Sequence, residues 1–241
     1  MWETILLVSA IILSWWCKNQ IQAEIQAVVM LMGGSVRKGT EVYALIFLPG
    51  IIWHEITHFF TAAILGVPTG DINLFPQFQT ESESKVALGS VKIGRSDFIR
   101  ESLIGAAPFL SGSVAIYCLV TIFILPMELG AWLPQLATGK MIGVIYLILT
   151  IANTMFPSNE DTKAWPIVWL VGAIVVGILA VNGWLEKIGW QAWWTIAQVV
   201  QTIGFSFFMV LIFNLMLWFL LGLWQKLLER VTRRKVVKVG R

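Results

Sequence analysis

Six apolar runs divide this chain, at about residues 2–17, 42–67, 98–125, 140–157, 164–182 and 196–224, with polar segments between them. All but the first are long enough for a helix to cross about 30 Å of hydrocarbon at 1.5 Å of rise per residue. The pattern predicts an all-α polytopic membrane protein with about six transmembrane helices in a single membrane domain, residues 1–241. Met1-Trp2-Glu3 has no basic flank and no small-x-small cleavage site follows closely, so residues 4–17 read as a short, retained first span. Lys18, Glu24, Arg37 and Lys38 surround the moderately apolar patch Ala27 to Met32, which either extends that span or lies along the interface. Residues 186–195 read as a short Trp-rich interfacial stretch, and no internal repeat is visible.

Residues 68–97 break the hydrophobic rhythm. Asp71 to Phe75 and Lys85 to Ile93 have the composition of short strands, separated by a polar link from Gln77 to Ser84. A small β-hairpin is therefore expected after the second helix. It reads either as a solvated loop or as a strand edge to which an extended substrate adds.

Composition agrees with the membrane reading. The chain is 57% hydrophobic and 13% charged, about half the charged fraction of soluble domains. Trp2, Trp15, Trp16, Trp165, Trp184, Trp190, Trp193, Trp194 and Trp224 fall near ends of apolar runs, where indole rings favour the water–lipid boundary. Arg230, Arg233, Arg234, Lys235, Lys238 and Arg241 crowd the C-terminus, with no acid among the last twelve residues. Beside a hydrophobic span, this 229–241 tail marks the cytoplasmic side and meets anionic lipid rather than nucleic acid. Six spans then place both termini, the 68–97 segment and the 157–163 connection on that side. Cys17 and Cys118, isolated in or beside apolar runs, form no metal-ligand spacing and read as packing residues.

The chemistry concentrates in the second run. The only two histidines belong to His54-Glu55-Ile56-Thr57-His58. On a helix, positions i and i+4 share a face, so two imidazoles can hold one metal while Glu55 reaches a water beside it. An ionisable group at mid-bilayer costs about 2.5–3.5 kcal/mol, which makes such a trio functional by default. His58 stands about 15 Å of helix from the end of the run at Pro68, which would bury the site nearer the cytoplasm. A catalytic zinc site takes three protein ligands and keeps one position open, so a carboxylate or thiolate must join the histidines. Glu160 and Asp161 end the fourth run, after Pro157-Ser158-Asn159 interrupts the helix. From the residues alone, they are either a ligand pair to choose from or a solvated turn with Lys163. Thr57 is placed to bond back to the Trp53 carbonyl. Pro49-Gly50 is expected to kink the helix one turn before His54 and free the Leu45 carbonyl. Gly105, Ser111 and Gly112 are expected to serve close helix packing.

The motif order resembles the site-2 protease family of intramembrane zinc metalloendopeptidases, over roughly residues 42–165. His54, Glu55 and His58 match its HExxH. Asn153 precedes Asp161 by the eight residues that separate the family's asparagine from its ligand aspartate. Ala106-Ala107-Pro108-Phe109-Leu110-Ser111 is similar to its middle Ala-Gly-Pro element. Thr162 stands where the family has glycine after the aspartate, the proline is shifted by one, and Ala107 replaces a glycine, as in a divergent member. The resemblance implies one zinc ion held by His54, His58 and Asp161, and Glu55 as general base in hydrolysis of a membrane-spanning or membrane-proximal protein. Asn153 is then a candidate oxyanion donor, or a bridge between helices. The competing expectation is a non-catalytic chaperone, assembly factor or binding protein on the same scaffold.

Overall fold

A computed structural model of the chain describes residues 2–78, 86–126, 138–158, 160–163, 165–183 and 189–236. Helix α1 (Trp2–Leu31) runs 30 residues without a break, so the first apolar run and most of the Ala27 to Met32 patch belong to one helix. It stops at Gly33, whose φ of 89° places it in the left-handed region. There the Gly34 and Gly33 amides donate to Val29 and Met30 and close the helix end. Helix α2 (Val36–Ile46) starts at Ser35, whose hydroxyl accepts from the Lys38 amide.

Helix α3 (Leu48–Ile64) carries the histidine motif and meets α2 at a 77° bend. The expected kink is present, but it is centred on Phe47 rather than on Pro49-Gly50. Pro49 sits instead in the first turn of the new helix, where its missing N–H costs nothing. The Tyr146 hydroxyl donates to the Ile46 carbonyl at 2.7 Å and satisfies a group at the bend. A Cβ on Gly50 would lie 2.5 Å from the Thr150 carbonyl carbon, so the missing side chain sets how closely α3 approaches the helix bearing Thr150.

After α3 the chain forms two small antiparallel pairs. Strand β1 (Thr69–Asn73) pairs with β4 (Ser90–Ile93), and β2 (Gln77–Phe78) pairs with β3 (Val86–Ala87). The expected hairpin is thus built from two short ladders with an irregularity between Thr69 and Ile72. Most of its polar link, residues 79–84, lies outside the described residues.

Helix α4 (Phe98–Leu119) begins at Asp97, whose carboxylate accepts from the Ile99 and Arg100 amides. It continues into a π-helical turn, Val120–Ile124. Helices α5 (Gly139–Thr154), α6 (Trp165–Val181) and α7 (Trp190–Thr232) follow. Among the described residues, Phe98–Ile124 and Ala197–Thr232 are long and apolar enough to cross a membrane, and the bent α2–α3 pair makes a third if it counts as one span. This is fewer than the six spans expected. Hydropathy along the chain does not register a 77° bend, and α5 ends after 16 residues, about 24 Å, where Pro157 approaches.

Ile116, Val120, Ile148, Ile151, Phe207 and Val210 bring α4, α5 and α7 together in the main core. A second cluster, Ile21, Ile25, Tyr43 and Phe47, joins α1 to α2 and the bend. Large apolar side chains are exposed along the helices, among them Ile5, Phe60, Val114, Ile122, Leu170 and Phe219, the kind of surface that favours lipid over water. Trp15, Trp16, Trp194 and Trp224 are exposed as well, Trp16 edge-on to Trp218. Trp184, Lys238 and Arg241 lie outside the described residues, as do the side chains of Trp2, Trp165, Trp190 and Trp193. Cys17 is buried, but Cys118 is exposed on α4 and packs in no core.

Candidate metal centre

Helical spacing puts His54 and His58 one turn apart on α3. Their Nε2 atoms stand 3.1 Å from each other. Two nitrogens bound to one tetrahedral ion at about 2.0–2.1 Å would be separated by about 3.3 Å, so the rings are already near ligand geometry. His58 Nδ1 lies 2.9 Å from the Ile104 carbonyl, an acceptor only, so that nitrogen carries the proton. His58 Nε2 therefore presents a lone pair toward His54, and either an N–H or a cation must face it. His54 Nδ1 is buried and makes no hydrogen bond of normal geometry, although the Thr154 backbone stands near the ring.

The third group comes from the turn after α5. Asp161 Oδ1 lies 3.4 Å from His58 Nε2. Its other oxygen accepts from the Ser158 amide at 2.7 Å, while the Asp161 amide donates to the Ser158 hydroxyl at 3.3 Å. This reciprocal pair spends one carboxylate oxygen on the backbone and leaves the other toward the rings. Glu160 is exposed and pairs with Lys163, so the two acids of the turn divide: one solvates it and the other faces the histidines. Ligand atoms of His54, His58 and Asp161 all lie within 4.8 Å of one another. Gly105 of α4 seats this turn, since a Cβ there would come within 2.9 Å of the Asp161 carbonyl carbon. Its role thus goes beyond the helix packing expected for it. Gly112, by contrast, packs on the Met155 side chain.

Glu55 is buried and lines a cavity of about 710 Å³ together with both histidines and Asp161. Its carboxylate lies under the turn between β3 and β4: a Cβ on Gly89 would come within 2.7 Å of Glu55 Oε1. Leu88, Ser90 and Val91 also line the cavity, which places the hairpin over the acid. Thr57 does bond back to the Trp53 carbonyl, at 2.6 Å. Ser111 then links the Thr57 hydroxyl to the Trp53 indole N–H and ties α4 to α3.

Asn153 lies apart from this group. It is fully buried, and its amide donates to the Leu149 carbonyl and to Asn214 Oδ1, both at 2.8 Å. Both N–H groups are spent on α5 and on the bridge to α7, and none remains for a substrate oxygen. Reading the chain in order also overlooked Lys18. This residue of α1 reaches the same cavity, with Nζ 5.9 Å from the Phe156 ring centroid. No local pattern marks it, because only helix packing brings it there.

The residues fit a divalent metal. Two imidazoles and one carboxylate converge, one imidazole is oriented by a backbone carbonyl, and Glu55 lies within the field of Asp161. Neighbouring carboxylates in a poorly solvated site, buried Glu55 and partly buried Asp161, repel each other unless a cation stands between them, and this donor set suits a first-row transition metal with an open coordination position. Compared with known proteins, the chain matches no family model, no curated protein and no solved structure.

Proposed function

We propose that the chain is an intramembrane zinc metalloprotease, a divergent relative of the site-2 proteases, that hydrolyses peptide bonds in or near the membrane span of a protein substrate. The convergence of His54, His58 and Asp161 within 4.8 Å, beside a buried Glu55, carries this reading. His54, His58 and Asp161 would hold the ion, and zinc there would supply a Lewis acid and a water acidic enough to lose a proton near neutral pH. Glu55 is the group placed to accept a proton from the attacking water and would later deliver it to the leaving amine. The Ile104 carbonyl keeps His58 in the tautomer that leaves Nε2 free, and Ser158 keeps Asp161 turned the same way.

The hairpin beside the cavity supports an extended peptide as the substrate. Among the described residues strand β4 is paired on one side only, with β1, and Ser90 and Val91 line the cavity. A substrate strand added at the hairpin would pass over Glu55 with its backbone hydrogen bonds satisfied. In this reading the protein is multi-pass, with about six spans and both termini in the cytoplasm. Its site lies in the bilayer nearer that side, and its basic tail rests on anionic lipid.

The full chain, purified in detergent, should carry about one zinc per molecule. Glu55→Gln should retain the metal and lose cleavage. A zinc content near zero under conditions that preserve metal sites refutes the reading. Metal retention with no cleavage of any substrate trapped by the Glu55→Gln variant would favour the non-catalytic binding protein instead.

A further inference from the structure

Resting on that protease reading, we infer that Lys18 of α1 is a further catalytic residue, the cation that receives the oxygen of the scissile carbonyl. Hydrolysis needs such a group. As the water oxygen adds to the carbonyl carbon, the π electrons of the C=O bond move onto its oxygen. The C–N bond then breaks, Glu55 passes its proton to the nitrogen, and an amine leaves together with a carboxylic acid, which keeps the second proton of the water until it ionises in solvent. A donor already in place where that negative charge develops contributes heavily to the rate.

Asn153, the candidate from the sequence, has both of its N–H groups engaged elsewhere. Two described lysines line the cavity, Lys18 and Lys163. Lys163 is exposed and paired with Glu160. Lys18 forms no contact ion pair among the described residues; the face of Phe156 stands near its ammonium, and the Asp161 carboxylate acts on it from farther away. Its charge acts on both Asp161 and His54, which places it beside the metal ligands without making it one. With no carboxylate in contact among the described residues, the ammonium is available to an anion that forms in the cavity during turnover. Asn19 and Gln22, on the same wall, are neutral and cannot supply the charge. The Phe156 ring limits where Nζ can go, through an attraction that tolerates displacement when a stronger anionic partner appears.

The test uses the full chain in detergent with a phosphinic peptide, whose tetrahedral anion mimics the charged carbonyl oxygen. Lys18→Met should keep about one zinc per chain and bind that probe about 100-fold more weakly, with kcat down about 10²–10³-fold and KM little changed. Lys18→Arg should recover part of the probe affinity, because it restores the charge. Unchanged probe affinity in Lys18→Met with zinc retained overturns the assignment, and so does loss of zinc, which would make Lys18 a structural residue. The two readings fail differently. If Glu55→Gln is inactive while Lys18→Met cleaves like the parent, only the Lys18 role is lost; if the parent binds no zinc, both are.

Discussion

Gly105→Ala isolates the contact that holds Asp161 in place. The added methyl would lie 2.9 Å from the Asp161 carbonyl carbon and 3.1 Å from its Cα, and closer still to the carbonyl oxygen. Carbon atoms in ordinary contact stand about 3.5–4.0 Å apart, so the turn must retreat by about 0.6–1 Å. The obstruction is backbone, which cannot swing aside as a side chain would. Two terms oppose each other in stability. Alanine gains up to about 1 kcal/mol over glycine inside a helix, whereas overpacking costs about 1–3 kcal/mol. The net change in Tm should therefore be small and downward. The metal responds more strongly, because ligand distances tolerate only about 0.2 Å of error. A roughly 10–100-fold loss of zinc affinity is expected, comparable with losing a ligand's supporting partner. Competition with a fluorescent chelator measures that affinity, and thermal unfolding in detergent measures the stability. If Gly105→Ala binds zinc as tightly as the parent, the α4 seat does not position the Asp161 ligand and the reasoning fails.

Asn214→Leu should lower stability by about 1–3 kcal/mol, because it strands the buried Asn153 amide that now donates to it at 2.8 Å. Replacing both residues by Leu should cost less than the sum of the single changes, and additive losses in a double-mutant unfolding cycle would refute the pairing. Asp97 gives the pH dependence. The Arg100 amide, helped by that of Ile99, holds its carboxyl below the usual carboxylate range. Because the folded value is the lower one, the cap is fully effective above the ordinary aspartate value of about 4 and is lost as pH falls below it. After correction for intrinsic rates, the Ile99 and Arg100 amides should exchange faster below about pH 4, and Asp97→Asn should remove that dependence. Unchanged protection down to pH 3 in the parent would contradict it.

The parts of the centre legible along the chain are those set by local geometry. His54 and His58 share a face because four residues make about one helical turn, and Thr57 returns to Trp53 for the same reason. Asp161 was separated from Glu160 along the chain only by the motif resemblance that its spacing from Asn153 carries; the residues alone left two acids, and it is the fold that turns one toward the rings and leaves Glu160 with Lys163. Asn153 was placed correctly in its helix, but its partner lies 61 residues away in α7, and that partner decides what its amide does. The expected spans fared unevenly: hydropathy locates apolar segments, but the break at Phe47 depends on α5, whose Tyr146 satisfies the carbonyl at the bend.

By itself, then, the amino-acid order determined an apolar, mostly helical chain with one histidine–glutamate–histidine turn and a short β insertion. Periodicity and transfer free energy act on neighbouring residues and can be read from them. Which carboxylate meets the imidazoles, which glycines admit it, how the hairpin covers Glu55 and why Lys18 reaches the same cavity were decided by packing between segments far apart in sequence. Those contacts depend on the angle and depth at which helices meet, which no single segment encodes.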